Sequence, residues 1–140
     1  MSISESQAVK VLYAAHEAWN KRDFNGLLEL FDDNMIYWST LGSDRSQTEI
    51  RGKPEFRTFL AAWQGMEGLS VPHSVRFKDG VASASVEFYV RDLRTGHAHS
   101  GTFRQVLTFR DGRILRMDEY HDAAAFGSFL ALLNSESSTP

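Results

Sequence analysis

The stretch that most constrains the fold runs from Phe103 to Asp122, FRQVLTFRDGRILRMDEYHD. It reads as two strands joined at Arg110-Asp111-Gly112, a short turn of the Asp-Gly hairpin kind. Alternate residues of a strand share a face. On the first strand Phe103, Gln105, Leu107 and Phe109 share one face, with Thr102, Arg104, Thr108 and Arg110 on the other. On the second, Leu115, Met117, Glu119 and His121 share a face. An apolar sheet face is thus expected to carry Gln105, Glu119 and His121. A carboxylate on such a face is costly unless it is paired or solvated, and that cost points to a function.

The remaining segments supply helices to cover that face. Ser4 with Gln7 has the pattern of a capping box. Behind it Ala8, Val11, Leu12, Ala15 and Trp19 recur at helical spacing, which predicts a helix over 5–21. His16, three residues before Trp19, reads as a flank residue of that helix rather than a pocket group. Asp23 is placed to cap a short second helix with Phe24, Leu27, Leu28 and Phe31 on its buried side, ended by Asp32-Asp33-Asn34. Met35 to Leu41 reads as a strand, with Tyr37 and Ser39 on one face and Ile36 and Trp38 on the other. The polar stretch 42–52 reads as a loop, which in closing over a pocket would bring Asp44 and Arg45 near a ligand.

Pro54 suits the first turn of a third helix with Phe56, Phe59, Leu60 and Trp63 as its stripe. Val71 to Phe77 and Val81 to Arg91 read as strands around Lys78-Asp79-Gly80. The second of these directs Ala82, Ala84, Val86, Phe88 and Val90 inward and Ser83, Ser85, Glu87 and Tyr89 outward. Asp122 then caps a last helix carrying Phe126, Phe129, Leu130 and Leu133. Residues 1–134 are read as a single domain and 135–140 as a disordered tail. Helices first and antiparallel strands after them give an α+β fold, a curved sheet covered on one face by helices with a pocket between.

Composition narrows the function classes. A formal charge of −3 and no basic cluster give no case for nucleic acid. No apolar run approaches the length that spans a bilayer, and MSISESQAVK lacks the basic start and apolar core of a secretory leader, so a cytoplasmic location is expected. The chain has no cysteine, hence no disulfide, thiol nucleophile or thiolate metal site.

The order of elements resembles the cone-shaped folds of the nuclear transport factor 2-like superfamily, which groups ketosteroid isomerase, limonene epoxide hydrolase and SnoaL-like polyketide cyclases. The resemblance rests on AWNKRDFNGLLELFDDNMIYW at 18–38, RGKPEFRTFL at 51–60 and DGRILRMDEYHD at 111–122. It implies a mixed or antiparallel sheet wrapped around three to four helices, an internal pocket, and a homodimer paired through the sheet. By the same resemblance the isomerase's base falls on Ser39, its proton-donating aspartate on Gln105 and its helix-one tyrosine on or near Ala15, so that triad is lost. The hydrolase's water-holding pair falls on Tyr37 and Ser39. One of its aspartates falls on Glu119, the other on Glu87, with its bridging arginine at Ser85, so that triad is incomplete.

Glu119, His121, Tyr37 and Gln105 are the candidate catalytic groups. Desolvation in an apolar pocket raises a carboxylate's pKa toward neutrality and equips it for acid–base work; the bland alternative is a rim glutamate, paired with an arginine or solvated. His121 either shares a proton with Glu119 or simply packs against the last helix. Gln105 can polarise a carbonyl without titrating, or orient Glu119. Ser39, Trp63, Phe103, Met117, Phe88 and Phe56 are the candidate substrate-binding residues. His97 and His99 share a strand face and, with His121 or Glu119, suit a divalent metal; exposure beside a turn is the commoner fate of such a pair, and no metal is assigned. The expected function is cofactor-free acid–base chemistry by an isomerase, cyclase or hydrolase on a small apolar carbonyl or epoxide. A non-catalytic module of the same fold, for binding a small apolar molecule or for dimerisation, is the alternative.

Overall fold

In this computed structural model residues 2–40 and 47–137 are described. The elements are α1 (Glu5–Asn20), α2 (Phe24–Glu29), β1 (Phe31–Ser39), β2 (Thr48–Arg51), α3 (Lys53–Ala61), β3 (Met66–Lys78), β4 (Val81–Asp92), β5 (Ala98–Arg110), β6 (Arg113–Tyr120) and α4 (Ala123–Ser137). The helix starts follow the local chemistry. Ser4 and Gln7 form the reciprocal capping box of α1, Asp23 accepts from the Gly26 amide at the start of α2, and Pro54 lies in the first turn of α3. Asp122 accepts from the Ala125 amide at 3.2 Å and so caps α4.

The strands form one curved, six-stranded sheet in the order β2-β1-β6-β5-β4-β3. Only the β1–β6 pair is parallel, so the sheet is mixed. Two hairpins, β3–β4 and β5–β6, turn on Asp79-Gly80 and Asp111-Gly112. Both residues of each turn have positive φ (52° and 79°, 51° and 79°), the twist that brings two antiparallel strands back into register. Helices cover the concave face. The main core joins Ala8 and Leu12 of α1, Leu27 and Leu28 of α2 and Phe56 and Leu60 of α3 to Met35, Val86, Leu107 and Ile114 of the sheet. A smaller cluster ties Phe126, Phe129 and Leu133 of α4 to Val90.

Four expectations give way. Phe31 begins β1 rather than closing α2, and Asp32, Asp33 and Asn34 are strand residues. Phe31 is apolar at helical spacing from Leu27 and Leu28, but its pairing with Ile114, reinforced by the Ile114 amide on the Leu30 carbonyl (2.9 Å), holds it extended. Within the stretch read as a loop, Thr48–Arg51 is an edge strand against β1; Leu41, Asp44 and Arg45 lie outside the described residues. Ile114 rather than Leu115 shares the inward face with Met117, because the β5–β6 register shifts between Thr108 and Phe109 and sets Phe109 opposite Ile114. Helix α4 continues to Ser137, beyond the 134 boundary of the sequence reading, and 138–140 lie outside the described residues.

Candidate functional site

Three neighbouring strands bring the site together. Ser39 of β1, Glu119 of β6 and Gln105 of β5 are register partners in one row across the sheet, and Tyr37 and Met117 form the next row. His121 follows the end of β6. Thr40 fixes it there: its hydroxyl accepts from the His121 amide at 2.7 Å and donates to the His121 carbonyl at 3.0 Å, while its own amide reaches the Glu119 carbonyl at 3.1 Å.

Strand alternation therefore holds where it matters. The Glu119 side chain points into the concave face and is 13% exposed, and His121 is 5% exposed. The Glu119 carboxylate accepts at Oε1 from the Tyr37 phenol (2.7 Å) and meets His121 Nε2 (3.1 Å) at the same oxygen. At Oε2 it accepts from the Gln105 amide nitrogen at 3.3 Å. No arginine takes part in these contacts. Glu87, by contrast, is exposed on the outer face, beside His73 at 3.4 Å.

The titration of Glu119 differs from the sequence expectation. Burial pushes its carboxyl up, but the hydrogen bond and charge of His121, then the Tyr37 hydrogen bond and, once His16 is itself protonated at acid pH, its charge, pull it below the usual carboxylate range. A carboxylate surrounded by donors is held as an anion, so Glu119 is a base or acceptor at neutral pH rather than an acid. Tyr37 moves the other way: burial and the neighbouring Glu119 charge push its phenol well above its ordinary value, so it stays a donor.

Behind Gln105 lies a buried polar chain the sequence reading missed. Its carbonyl oxygen is 2.8 Å from His16 Nε2, and His16 Nδ1 is 2.6 Å from the Ser70 hydroxyl. His16, Ser70 and Gln105 are 6%, 5% and 3% exposed. His16 is thus a buried group at the cavity, not a flank residue. Its spacing of four from Leu12 carried that signal, since i and i+4 share a helix face. Ser70 carried none, because its strand starts well before Val71.

These groups line a cavity of about 110 Å³ whose apolar walls include Trp19, Phe31, Phe59, Trp63, Phe88 and Phe126. Phe56, Phe103, Met117, Tyr37 and Gln105 also line it, with Glu119 and His121. The His121 ring stacks on Phe103 at a centroid distance of 4.2 Å. Ser39 does not line it and is fully buried. His99 packs among Phe88, Phe126 and Phe129, and among the described residues no group of three or more His, Cys, Asp or Glu is gathered to hold a metal. Nor is any described helix long and apolar enough to cross a membrane.

Solved structures share this architecture. TerC co-crystallized with polyporic acid matches at TM-score 0.77 and 21% identity, over 89% of this chain and 98% of that one. A LEH-like epoxide hydrolase of M. tuberculosis matches at TM-score 0.75 and 18% identity, over 96% of this chain and 98% of that one. An NTF2-like protein of unknown function from Burkholderia pseudomallei matches at TM-score 0.79 and 17% identity, over 91% of this chain and 98% of that one. At such identities the likeness bears on the fold, and no curated protein matches this sequence. The family model of the SnoaL-like domain does match, over residues 12–117. That match runs from the first helix into the last strand and agrees with the mixed, helix-filled sheet, so the chain belongs to the SnoaL-like domain family.

Proposed function

We propose that this protein is a cofactor-free enzyme, an isomerase, cyclase or hydrolase, that moves a proton on a small, mostly apolar substrate bearing a carbonyl or an epoxide, and that it works as a homodimer. Glu119 is the base. The observation that carries this reading is a carboxylate held by three side-chain partners in the lining of an aromatic cavity, with unequal oxygens. Oε1 already has two partners, Tyr37 and His121, whereas Oε2 has one long hydrogen bond from Gln105. A carboxylate oxygen has two lone pairs, so Oε2 is the atom with room for a substrate proton.

The chemistry then follows from the surroundings. Oε2 takes a proton from the carbon beside the carbonyl, or from a water that opens the epoxide. Tyr37 holds the carboxylate in place and His121 spreads its charge. Gln105 offers an amide N–H to the oxygen on which negative charge develops. The cavity sets the size of the substrate. A cavity of about 150 Å³ holds a benzene ring, so this one suits the reacting end of a monocyclic molecule.

A second reading has its own support. All three partners of the Glu119 carboxylate are the protein's own side chains, so the site is satisfied without a substrate and suits a binding module. The Glu119→Gln variant, assayed against a panel of monocyclic ketones and epoxides, separates the two. Turnover should fall about 100-fold or more, the scale of a general base, while ligand binding persists. Unchanged turnover removes Glu119 from the mechanism, and binding without turnover by the native chain across the panel favours the module.

A further inference from the structure

The charge on Glu119 sets the direction of every hydrogen bond in the chain behind it. A carboxylate only accepts, so the Gln105 atom facing Oε2 is the amide nitrogen. The amide oxygen then faces His16 Nε2, and because it too only accepts, Nε2 carries a hydrogen. Burial lowers the His16 pKa and keeps the ring neutral at pH 7, which leaves Nδ1 to accept from the Ser70 hydroxyl at 2.6 Å, the other acceptor for that hydrogen, Asn20 Oδ1, lying farther off at 3.4 Å. Asn20 clamps the Ser70 backbone on both sides: its Oδ1 accepts from the Ser70 amide at 2.8 Å and its Nδ2 donates to the Ser70 carbonyl at 2.9 Å. Turned over, the Gln105 amide would set its oxygen against the carboxylate and its NH2 against the His16 N–H. Both contacts would be repulsive.

We infer that His16 is a positioning residue: through its Nε2–H it locks the buried Gln105 amide with the NH2 group toward Glu119. The consequence for ligand class rests on the reading of Glu119 as the base. One N–H of Gln105 serves Glu119, and among the described residues the other has only the Met117 sulfur at 3.7 Å, a weak acceptor. Gln105 and Met117 both line the cavity. The locked amide therefore offers a donor to a ligand, and the site takes an acceptor oxygen such as a carbonyl or an epoxide rather than a group that can only donate.

The groups that face the Glu119 carboxylate are Tyr37 from β1, Gln105 from β5, His16 from α1 and His121 after β6. Two NMR measurements on the full chain, with no substrate present, test the inference. The first is the long-range nitrogen–proton spectrum of His16 at pH 7, which should show the neutral ring protonated at Nε2. A ring protonated at Nδ1 alone overturns the inference. The second is the carbon-detected titration of the Glu119 carboxyl. In His16→Phe the freed amide no longer holds its donor on Oε2, and the midpoint should rise by about one pH unit. In His16→Gln an amide N–H replaces the imidazole N–H, and the midpoint should return toward the native value. A folded His16→Phe chain with an unmoved midpoint overturns the inference, and if that variant does not fold, the tautomer of the native ring decides. Neither readout uses turnover, so a failure here is distinct from a failure of the Glu119→Gln test.

Discussion

At the residue scale, the buried ionisable groups should make stability depend on pH in two steps. His16 has its pKa lowered by burial from 6.5, which means that the unfolded chain takes up a proton the folded chain resists. Stability from this group is complete above 6.5 and is lost as the pH falls through the lowered value. His99, lowered by burial and by the charge of His121, adds to the same step. Glu119 is also lowered, here from 4.5, because its donors outweigh its burial. Its contribution is complete above 4.5 and is lost below the folded value. Urea midpoints should therefore fall first as the pH drops below about 6.5, and again below about pH 4.5. In His16→Gln the first step should be shallower while the second remains. A native midpoint that stays flat from neutral to acid pH refutes this assignment of charge.

At the element scale, what was legible in the sequence was whatever a short window determines. The caps at Ser4, Asp23 and Asp122 and the proline at 54 placed four helix starts, and both Asp-Gly turns placed their hairpins. Alternation pointed Glu119 and Gln105 inward because each is two residues from an apolar neighbour on a regular stretch of strand. It failed at Leu115, where the register shift exchanges faces, and at Thr48–Arg51, whose polar residues suit an edge strand that only β1 covers. The meeting of His16 with Ser70 and Gln105 spans 54 and 89 residues of sequence, and no local pattern encodes it. Helix α4 shows the same division between local signal and tertiary support. Its cap and apolar spacing were plain, yet its buried residues join a small cluster apart from the main core. We therefore expect the amides from Phe126 to Leu133 to exchange hydrogen through local opening, well before those of Leu107 and Ile114 in the sheet. Equal protection across α4 and the sheet would show that the helix unfolds only with the whole chain.

At the scale of the whole molecule, the two faces of the sheet have different tasks. The concave face is filled by helices and the cavity. The outer face is polar along much of β4, β5 and β6, as Ser83, Glu87, Arg104 and Asp118 require, but it also keeps apolar surface in view. Leu69, Val71 and Tyr89 are 52%, 40% and 38% exposed, and Leu69 and Tyr89 are direct partners across β3 and β4. Tyr120 is 47% exposed and lies against Trp38 at 5.2 Å between ring centroids. Apolar residues that adjoin on a strand pair are better candidates for an interface than the same residues scattered singly. A homodimer closed by a twofold axis uses the same patch twice, so one charge placed there is repeated across the contact. Sedimentation equilibrium of the native chain should give twice the 15.8 kDa chain mass. Leu69→Asp and Val71→Asp should each shift the equilibrium toward single chains while leaving the cavity and its Glu119 titration unchanged, because neither residue lines the cavity and both are exposed on β3. A native chain that sediments at its single mass across the concentration range refutes the pairing and leaves the outer face to solvent.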